Sequence, residues 1–220
     1  LIESGYSRLD DLIKLASKRN SPLKCNNNPL HALLAPSWGK NGMIESGLGK
    51  EIVKLLLEGG QIVTLRPHPE TTKNSKKQID EILAAYSAQP NFYFDANNLA
   101  TDAFENSDYM ISDWSGVALE YIIGMKKPVT FVDLPKKINN SRYHEVGIEP
   151  VEAIVRTEVG KLVSPNDILQ GKIDFFPSLI HTSKIEELTK KYVYNLSRSD
   201  FVGAVALHSI FIKLISREFG

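Results

Sequence analysis

Short apolar runs alternate with longer amphipathic stretches between about residues 31 and 134. Five of the runs are short enough to form buried strands, at residues 31–35, 61–66, 91–94, 108–112 and 128–133. The stretches between them carry apolar residues at helical spacing, at residues 49–58, 75–88 and 114–125. Strands that alternate with helices are typical of a parallel sheet with right-handed crossovers. The pattern therefore predicts an α/β fold in which helices cover both faces of a parallel sheet.

The two ends of the chain depart from this alternation. The predicted flanking elements are a helix at residues 8–18, a polar loop at 20–30, short strands at 153–155 and 161–163, a helix after the capping box that begins at Ser183, and a last helix from Asp200 to Arg217. Glycine and alanine occupy part of the last helix, so we expect it to pack against protein rather than lie in a membrane.

Three segments follow from this pattern. They are an N-terminal helix with its linker at residues 1–30, an α/β core at 31–180, and C-terminal helices at 181–220 that pack on the core or on a further domain. The first residue is leucine, which indicates a fragment of a longer polypeptide. We therefore expect a partner domain outside this chain.

Composition narrows the classes of function. With 26 basic and 26 acidic residues, the chain as a whole has no excess charge that would attract nucleic acid or an anionic membrane. The single cysteine, Cys25, excludes an internal disulfide framework and a multi-cysteine zinc site, and it fits the reducing cytoplasm. No apolar run approaches the roughly 20 residues that span a bilayer. No His, Asp or Glu set has the close spacing of a metal site, so we expect neither metal nor cofactor.

The strongest candidate site begins where the fourth predicted strand ends, at residues 112–120. Ser115 and Gly116 are small enough to let backbone N–H groups approach a phosphate, whose charge the positive end of the helix dipole stabilises. Glu120 lies one turn beyond Gly116, where its carboxylate can accept hydrogen bonds from two ribose hydroxyls. The alternative is an ordinary strand-to-helix turn in which Ser112 or Asp113 caps the helix.

A second candidate follows the second predicted strand. Pro67 and Pro69 restrict the backbone on both sides of His68, directly after Arg66. A histidine held in this way can donate a hydrogen bond to a phosphate oxygen or protonate a leaving group. The alternative is a histidine of a surface loop.

A third candidate is the loop after the first predicted strand. Ser37 and Trp38 precede a glycine-containing stretch that can contact phosphate, with the indole as a wall of the pocket. The stretch lacks the Gly-Lys-Ser/Thr ending of a P-loop. A flexible loop with a packed tryptophan explains the same residues.

Five motifs in this chain resemble those of the CDP-glycerol glycerophosphotransferases, which polymerise teichoic acid and related capsule chains. The motifs are Gly5-Tyr6-Ser7-Arg8-Leu9-Asp10, Ala35-Pro36-Ser37-Trp38, Arg66-Pro67-His68-Pro69, Ser112-Asp113-Trp114-Ser115-Gly116 and Lys127-Pro128. Their common order over residues 5–128 is far more specific than any one of them.

The resemblance implies a two-domain GT-B fold in which this chain forms the Rossmann-like C-terminal domain. That domain would bind CDP-glycerol and transfer glycerol phosphate to a cell-surface polymer, with His68 as the catalytic residue at the donor phosphates. The resemblance implies that Ser115 and Gly116 hold the diphosphate; together with the residues singled out above, the predicted donor-binding set is Arg66, Ser112, Asp113, Ser115, Gly116, Glu120, Ser37 and Trp38.

The implied partners are a nucleotide-activated donor, a polymer or glycan acceptor, and an N-terminal acceptor domain that carries the catalytic base. Nucleic acid is not among them. The implied location is the cytoplasm, with contact to the inner face of the cell membrane through the other domain.

Two details depart from that family. Ser115-Gly116 stands where the family usually has Ser-Ser, and the glutamate four residues after Gly116 resembles nucleotide-sugar enzymes such as UDP-N-acetylglucosamine 2-epimerases. Two alternatives therefore stay open. One is a glycosyltransferase or epimerase domain that uses a UDP- or CMP-sugar, and the other is a non-catalytic nucleotide-binding module.

Overall fold

A computed structural model describes residues 3–18, 29–97, 100–138, 140–177 and 182–218. Six strands form a single sheet. They are β1 (His31–Leu34), β2 (Ile62–Leu65), β3 (Phe92–Phe94), β4 (Tyr109–Ser112), β5 (Val129–Val132) and β6 (Lys161–Val163). The five predicted core strands and the predicted strand at residues 161–163 are thus confirmed, with ends that differ by at most one residue.

The helices lie between and after these strands. They are α1 (Ser7–Ser17), α2 (Leu48–Glu58), α3 (Pro69–Asn74), α4 (Lys76–Tyr86), α5 (Asp102–Asn106), α6 (Val117–Leu119), α7 (Val151–Glu158), α8 (Pro165–Leu169), α9 (Thr182–Tyr192) and α10 (Ser199–Glu218). A π-helical turn (Glu120–Gly124) continues α6, and a 3-10 turn covers Tyr143–Val146.

All strand pairs are parallel, in the order β3-β2-β1-β4-β5-β6. The chain therefore builds outward from β1 to β3, returns to the other side of β1 with β4, and continues outward to β6. In such doubly wound sheets, ligands bind outside the carboxyl ends of the strands at the point where the order reverses. Here that point lies between β1 and β4.

Alternation along the strands divides the core between the two faces of the sheet. Ala32 and Leu34 of β1 face one apolar cluster, which α2, α4 and α8 complete, whereas Leu33 faces a second cluster with α1, α5, α7 and α9. The prediction that helices cover both faces is confirmed. Burial on both faces also explains why these strands read as short continuous apolar runs.

One predicted strand is wrong: residues 153–155 belong to α7. The buried positions Ala153 and Val155 share this helix with Arg156, which is also buried. Pro150 at the N-cap supplies no amide hydrogen and suits a helix start. A three-residue apolar run does not distinguish a strand from the buried side of a short helix.

The helix predicted at residues 114–125 begins later, at Val117, because residues 113–116 form the turn that leads out of β4. The predicted polar loop at residues 20–30 lies mostly outside the described residues, as does the predicted boundary at 180–181. The start of α9 at Thr182 and of α10 at Ser199 agrees with the two predicted C-terminal helices.

The last helix, α10, is held at its beginning and exposed along the rest of its length. The carboxylate of Asp10 accepts hydrogen bonds from the backbone N–H groups of Ser197 (2.6 Å) and Ser199 (2.8 Å). Beyond that cap, large apolar side chains such as Leu207 and Phe211 are exposed. By length and composition Ser199–Ser216 is apolar enough to cross a membrane, with 6% of it buried. The sequence-based statement that no run approaches such a length is therefore wrong for this helix.

Candidate functional site

Four loops meet at the carboxyl ends of β1, β2, β4 and β5. They carry Trp38 after β1, His68 after β2, the turn at residues 113–116 after β4, and Lys137 after β5. The sheet order places the first and third of these loops side by side, because β1 and β4 are neighbours. This is the reversal point of the sheet, and each candidate motif follows a predicted strand that ends at this edge.

The turn after β4 is fixed to the loop after β1 by buried hydrogen bonds. Asp113 accepts from the backbone N–H groups of Ser37 (2.6 Å) and Met43 (3.3 Å), and the Ser112 hydroxyl donates to the carbonyl of Ala35 (2.7 Å). Ser112 and Asp113 are almost completely buried. Of the predicted donor-binding residues, Ser112, Asp113 and the Ser37 amide therefore form buried hydrogen bonds that fix the two loops to each other.

Arg156, which the sequence pattern did not assign to the site, supports the same turn from the other side. Its guanidinium donates to the backbone carbonyl of Asp113 (2.8 Å) and lies 4.1 Å from the ring centroid of Trp114. Burial lowers the pKa of the Arg156 guanidinium, and the nearby carboxylates of Asp133 and Asp113 oppose that shift. A basic residue on a short helix 43 positions beyond Asp113 gave no local signal of this contact.

Ser115 and Gly116 are the open part of the turn. In the described chain, neither their backbone N–H groups nor the Ser115 hydroxyl donates to a protein acceptor. Gly116 has an ordinary helical φ of −59°, and a Cβ there would meet no atom within 4 Å. The fold itself does not require glycine here. The absence of a side chain leaves space in which a ligand could approach the backbone.

His68 stands at the N-cap of α3 with a defined tautomer. Its Nδ1 accepts a hydrogen bond from the backbone N–H of Glu70 (3.1 Å), so the proton of the neutral ring lies on Nε2. Partial burial and the positive charge of Lys137 lower the pKa of His68, which keeps the ring neutral at pH 7. Nε2–H is then a single hydrogen-bond donor, suited to an anionic oxygen.

The ring of Trp38 connects His68 with Lys137. The Trp38 and His68 ring centroids are 6.0 Å apart, and the Lys137 ammonium lies 3.7 Å from the Trp38 centroid. Trp38 and Lys137 line a cavity of about 310 Å³ with Asp113. The predicted residues Trp38 and His68 are thus brought together, although 30 positions separate them in the sequence.

Glu120 lies on the π-helical turn and is held by two residues of the N-terminal motif. Its two carboxylate oxygens accept from the Tyr6 hydroxyl (2.6 Å) and from Arg8 Nε (2.7 Å). Burial and the Glu120 contact raise the pKa of the Tyr6 phenol to about 12, so the phenol remains a donor at neutral pH. A cavity of about 680 Å³ opens between Tyr6, Glu120 and Gly116.

The contact between α1 and the π-helical turn is close. A Cβ at Gly124 would lie 2.8 Å from Cβ of Leu12, so a larger residue would push α1 away. This approach brings Tyr6 and Arg8 to Glu120. The motif that contains Tyr6 and Arg8 is part of the family resemblance, but sequence reasoning assigned a role to neither residue.

Arg66 is held inside the protein by the residues that follow β3. Its Nη2 donates to the backbone carbonyls of Asn97 (3.0 Å) and Ala100 (2.9 Å), and its Nε lies 3.7 Å from the Asp95 carboxylate. The side chain is 3% exposed, and its Nη1 has no hydrogen-bond partner among the described residues. Arg66 therefore organises the described residues that follow β3.

Comparison with known proteins agrees with the motifs. The family model for CDP-glycerol:poly(glycerophosphate) glycerophosphotransferases matches residues 1–139. No curated protein sequence matches the chain significantly.

The chain is similar in fold to solved structures that include two UDP-GlcNAc 2-epimerases. UDP-GlcNAc 2-epimerase of Methanocaldococcus jannaschii, in complex with UDP-GlcNAc and UDP, has a TM-score of 0.50 and 16% identity, over 93% of this chain and 54% of the epimerase. The Neisseria meningitidis UDP-GlcNAc 2-epimerase bound to UDP-GlcNAc has the same TM-score and identity, over 94% and 54%. The chain thus spans about half the length of these enzymes. Its fold is the expected Rossmann-like domain of the GT-B class.

Proposed function

Because the chain belongs to the CDP-glycerol:poly(glycerophosphate) glycerophosphotransferase family, we propose that it binds the activated donor of a transferase. The proposed donor is CDP-glycerol or a similar CDP-activated polyol phosphate. The proposed acceptor is a growing cell-surface polymer. A further domain outside this chain would bind that acceptor, in the cytoplasm at the inner face of the membrane.

The observation that carries this proposal is the open turn at Ser115 and Gly116. Its amide groups have no acceptor within the described chain, it lies at the reversal point of the sheet, and Gly116 leaves space that the fold does not need. Backbone N–H groups at such a position are suited to phosphate oxygens. We therefore assign the donor diphosphate to this turn.

In the proposed reaction, an acceptor hydroxyl attacks the β-phosphorus of CDP-glycerol. The bond from that phosphorus to the bridging oxygen breaks, CMP leaves, and the hydroxyl proton passes to a base on the other domain. The Nε2–H group of His68 stabilises charge that develops on the phosphate oxygens. Its neutral state favours this role over protonation of the leaving group.

Glu120 would hold the ribose. Each of its carboxylate oxygens already accepts one hydrogen bond, from Tyr6 or from Arg8, and each has a second lone pair for a ribose hydroxyl. Tyr6 and Arg8 would thus fix the orientation of the carboxylate before the donor binds.

Calorimetry on the full-length protein with CDP-glycerol, UDP and CMP tests the donor. We expect binding of CDP-glycerol and weaker binding of CMP, which lacks the second phosphate. In the same protein, His68→Ala should abolish transfer of glycerol phosphate without change in the circular dichroism spectrum. Normal turnover by that variant would refute the role of His68.

A UDP-sugar enzyme is the second candidate. The Ser-Gly-x-x-x-Glu motif from Ser115 to Glu120 favours a UDP-sugar as the donor, and the two epimerases of similar fold contain UDP-GlcNAc. Tight binding of UDP, with no response to CDP-glycerol, would favour this candidate over the first. A non-catalytic module would bind nucleotide but neither transfer nor hydrolyse any activated donor.

A further inference from the structure

Lys137 has an unusual position for a lysine in a loop. In the described part of the chain, its ammonium forms no hydrogen bond or ion pair with a protein group. Its contact is the face of Trp38, at 3.7 Å from the ring centroid. Partial burial lowers the pKa of the Lys137 ammonium, so some of its hydration has been lost without an anionic partner in exchange.

The two carboxylates whose charge reaches Lys137 form no ion pair with it among the described residues. Both oxygens of Asp113 accept backbone N–H groups, and Oε1 of Glu45 accepts the hydroxyls of Thr71 and Ser75, whereas Oε2 of Glu45 is buried without a hydrogen-bond partner in the described part of the chain. They offset the lowered pKa of Lys137 only in part. The cation therefore faces the cavity at the carboxyl ends of β1 and β4 with its charge available.

The same cavity has a second hydrogen-bond donor nearby, the Nε2–H group of the neutral His68 ring. Lys137 is close enough to lower the pKa of His68, and Trp38 contacts both side chains. An anion between the ammonium and the imidazole would accept hydrogen bonds from both. Asp113 and Trp114 line this cavity with Lys137, and the chain continues from them into the Ser115–Gly116 turn. A diphosphate bound at that turn would therefore be a suitable anion beside the cavity.

We propose that Lys137 is a donor-binding residue that leaves the Trp38 ring to bind the diphosphate together with His68. This inference rests on the proposed function for the identity of the donor, but the ligand class it requires is any diphosphate. The Trp38 ring then holds the ammonium by a cation–π contact while the site is empty. It also keeps the side chain extended toward the site, which reduces the conformational entropy that is lost on binding.

Inorganic pyrophosphate is a probe that tests Lys137 without any assumption about the base or the transferred group. We compare the full-length wild-type protein with Lys137→Met, which keeps an unbranched apolar side chain of nearly the same length and removes the charge. Lys136→Met is the matched control, because the Lys136 ammonium lies over a different ring, at 4.9 Å from the Tyr143 centroid. Binding is measured by calorimetry and by tryptophan emission.

Pyrophosphate should bind to the wild-type protein and change its tryptophan emission, since the ammonium moves away from Trp38. Lys137→Met should weaken binding about tenfold or more, the range for a hydrogen bond to a charged group, and should lose the ammonium-dependent part of the emission change. Lys136→Met should bind within about threefold of wild type, because the Lys136 ammonium lies over the Tyr143 ring and not over the Trp38 ring, although Lys136 lines the same cavity. Lys137→Arg should recover part of the affinity.

The inference fails if Lys137→Met binds pyrophosphate as tightly as wild type, if both methionine variants lose affinity equally, or if the wild-type protein binds no pyrophosphate. Failure of the proposed function gives a different result. In that case, pyrophosphate binding depends on Lys137 but CDP-glycerol does not bind.

Discussion

At the residue scale, substitution of Gly116 tests whether the turn after β4 is a ligand site or an ordinary turn. Its φ of −59° suits any residue, and a Cβ would meet no protein atom within 4 Å. Gly116→Ala should therefore change the free energy of unfolding by less than about 1 kcal/mol. If a diphosphate approaches this backbone, the added methyl group should weaken CDP-glycerol binding about tenfold or more.

Urea unfolding and calorimetry on the same preparation measure the two effects of Gly116→Ala. Gly203→Ala is a control, because Gly203 also has open space around its Cα and lies on α10, far along the chain from the turn. Unchanged donor affinity in Gly116→Ala would show that no ligand approaches this backbone.

His68 provides a prediction about pH. Burial and Lys137 lower its pKa from the ordinary 6.5, so the unfolded chain binds a proton more readily than the folded one. The contribution of His68 to stability is thus complete above pH 6.5 and declines as the pH falls from 6.5 toward the folded pKa. An NMR titration should find the His68 ring titrating below 6.5, and at a higher pH once pyrophosphate is bound, because the anion favours the imidazolium.

The His68 signal is assigned by its loss in His68→Gln. In Lys137→Met without pyrophosphate, the pKa of His68 should rise, since one of the two causes of its low value is removed. A pKa that does not respond to pyrophosphate would place the anion away from this ring.

At the element scale, sequence patterns predicted the sheet well because burial on both faces makes every core strand a short apolar run. They mistook the start of α7 for a strand, since Ala153 and Val155 are buried by contacts that a local pattern does not reveal. The same limit hid Arg156, whose importance depends on where α7 packs. The motif residues Ser112 and Asp113 were found, but their buried bonds to the loop after β1 were not.

Arg156 connects α7 to the turn after β4, and its geometry gives a prediction. Lysine at this position cannot donate to Asp113 and Val132 together while covering the Trp114 ring. We expect Arg156→Lys to lower the free energy of unfolding by about 1–3 kcal/mol, the usual cost of unsatisfied buried partners. Donor affinity should also fall, because the open amides of Ser115 and Gly116 belong to the same turn as Asp113.

Urea unfolding of Arg156→Lys is compared with Arg142→Lys, in which an exposed arginine paired with Glu145 is replaced. The control should stay within about 0.5 kcal/mol of wild type. Equal stability of the two variants would mean that Arg156 does not hold the turn.

At the scale of the whole molecule, the N-terminal motif joins parts of the chain that no local pattern relates. Tyr6 and Arg8 contact Glu120, which lies 114 and 112 positions away, whereas Asp10 contacts Ser197 and Ser199, 187 and 189 positions away. The order of the motifs identified the family, but their roles became visible only when these distant segments were placed together. The segment around α1 thus connects the predicted ribose contact with the beginning of α10.

Asp10→Ala tests that connection. The change removes the acceptor of two backbone N–H groups at the start of α10, and Asp10 is almost completely buried. We therefore expect the free energy of unfolding to fall by about 1–3 kcal/mol, with the effect concentrated in this helix. Hydrogen exchange of the first turn of α10 should accelerate, while exchange in β1 and β4 stays slow.

Donor affinity should fall as well, because Tyr6 also donates its backbone N–H to Ser199 and would lose its fixed position beside Glu120. Asp11→Ala is the matched control, since the neighbouring carboxylate is exposed and, within the described part of the chain, pairs with Lys14. If α10 exchanges at the same rate in both variants, the cap does not hold the helix; if α10 loosens but donor affinity is unchanged, Glu120 is positioned independently of it.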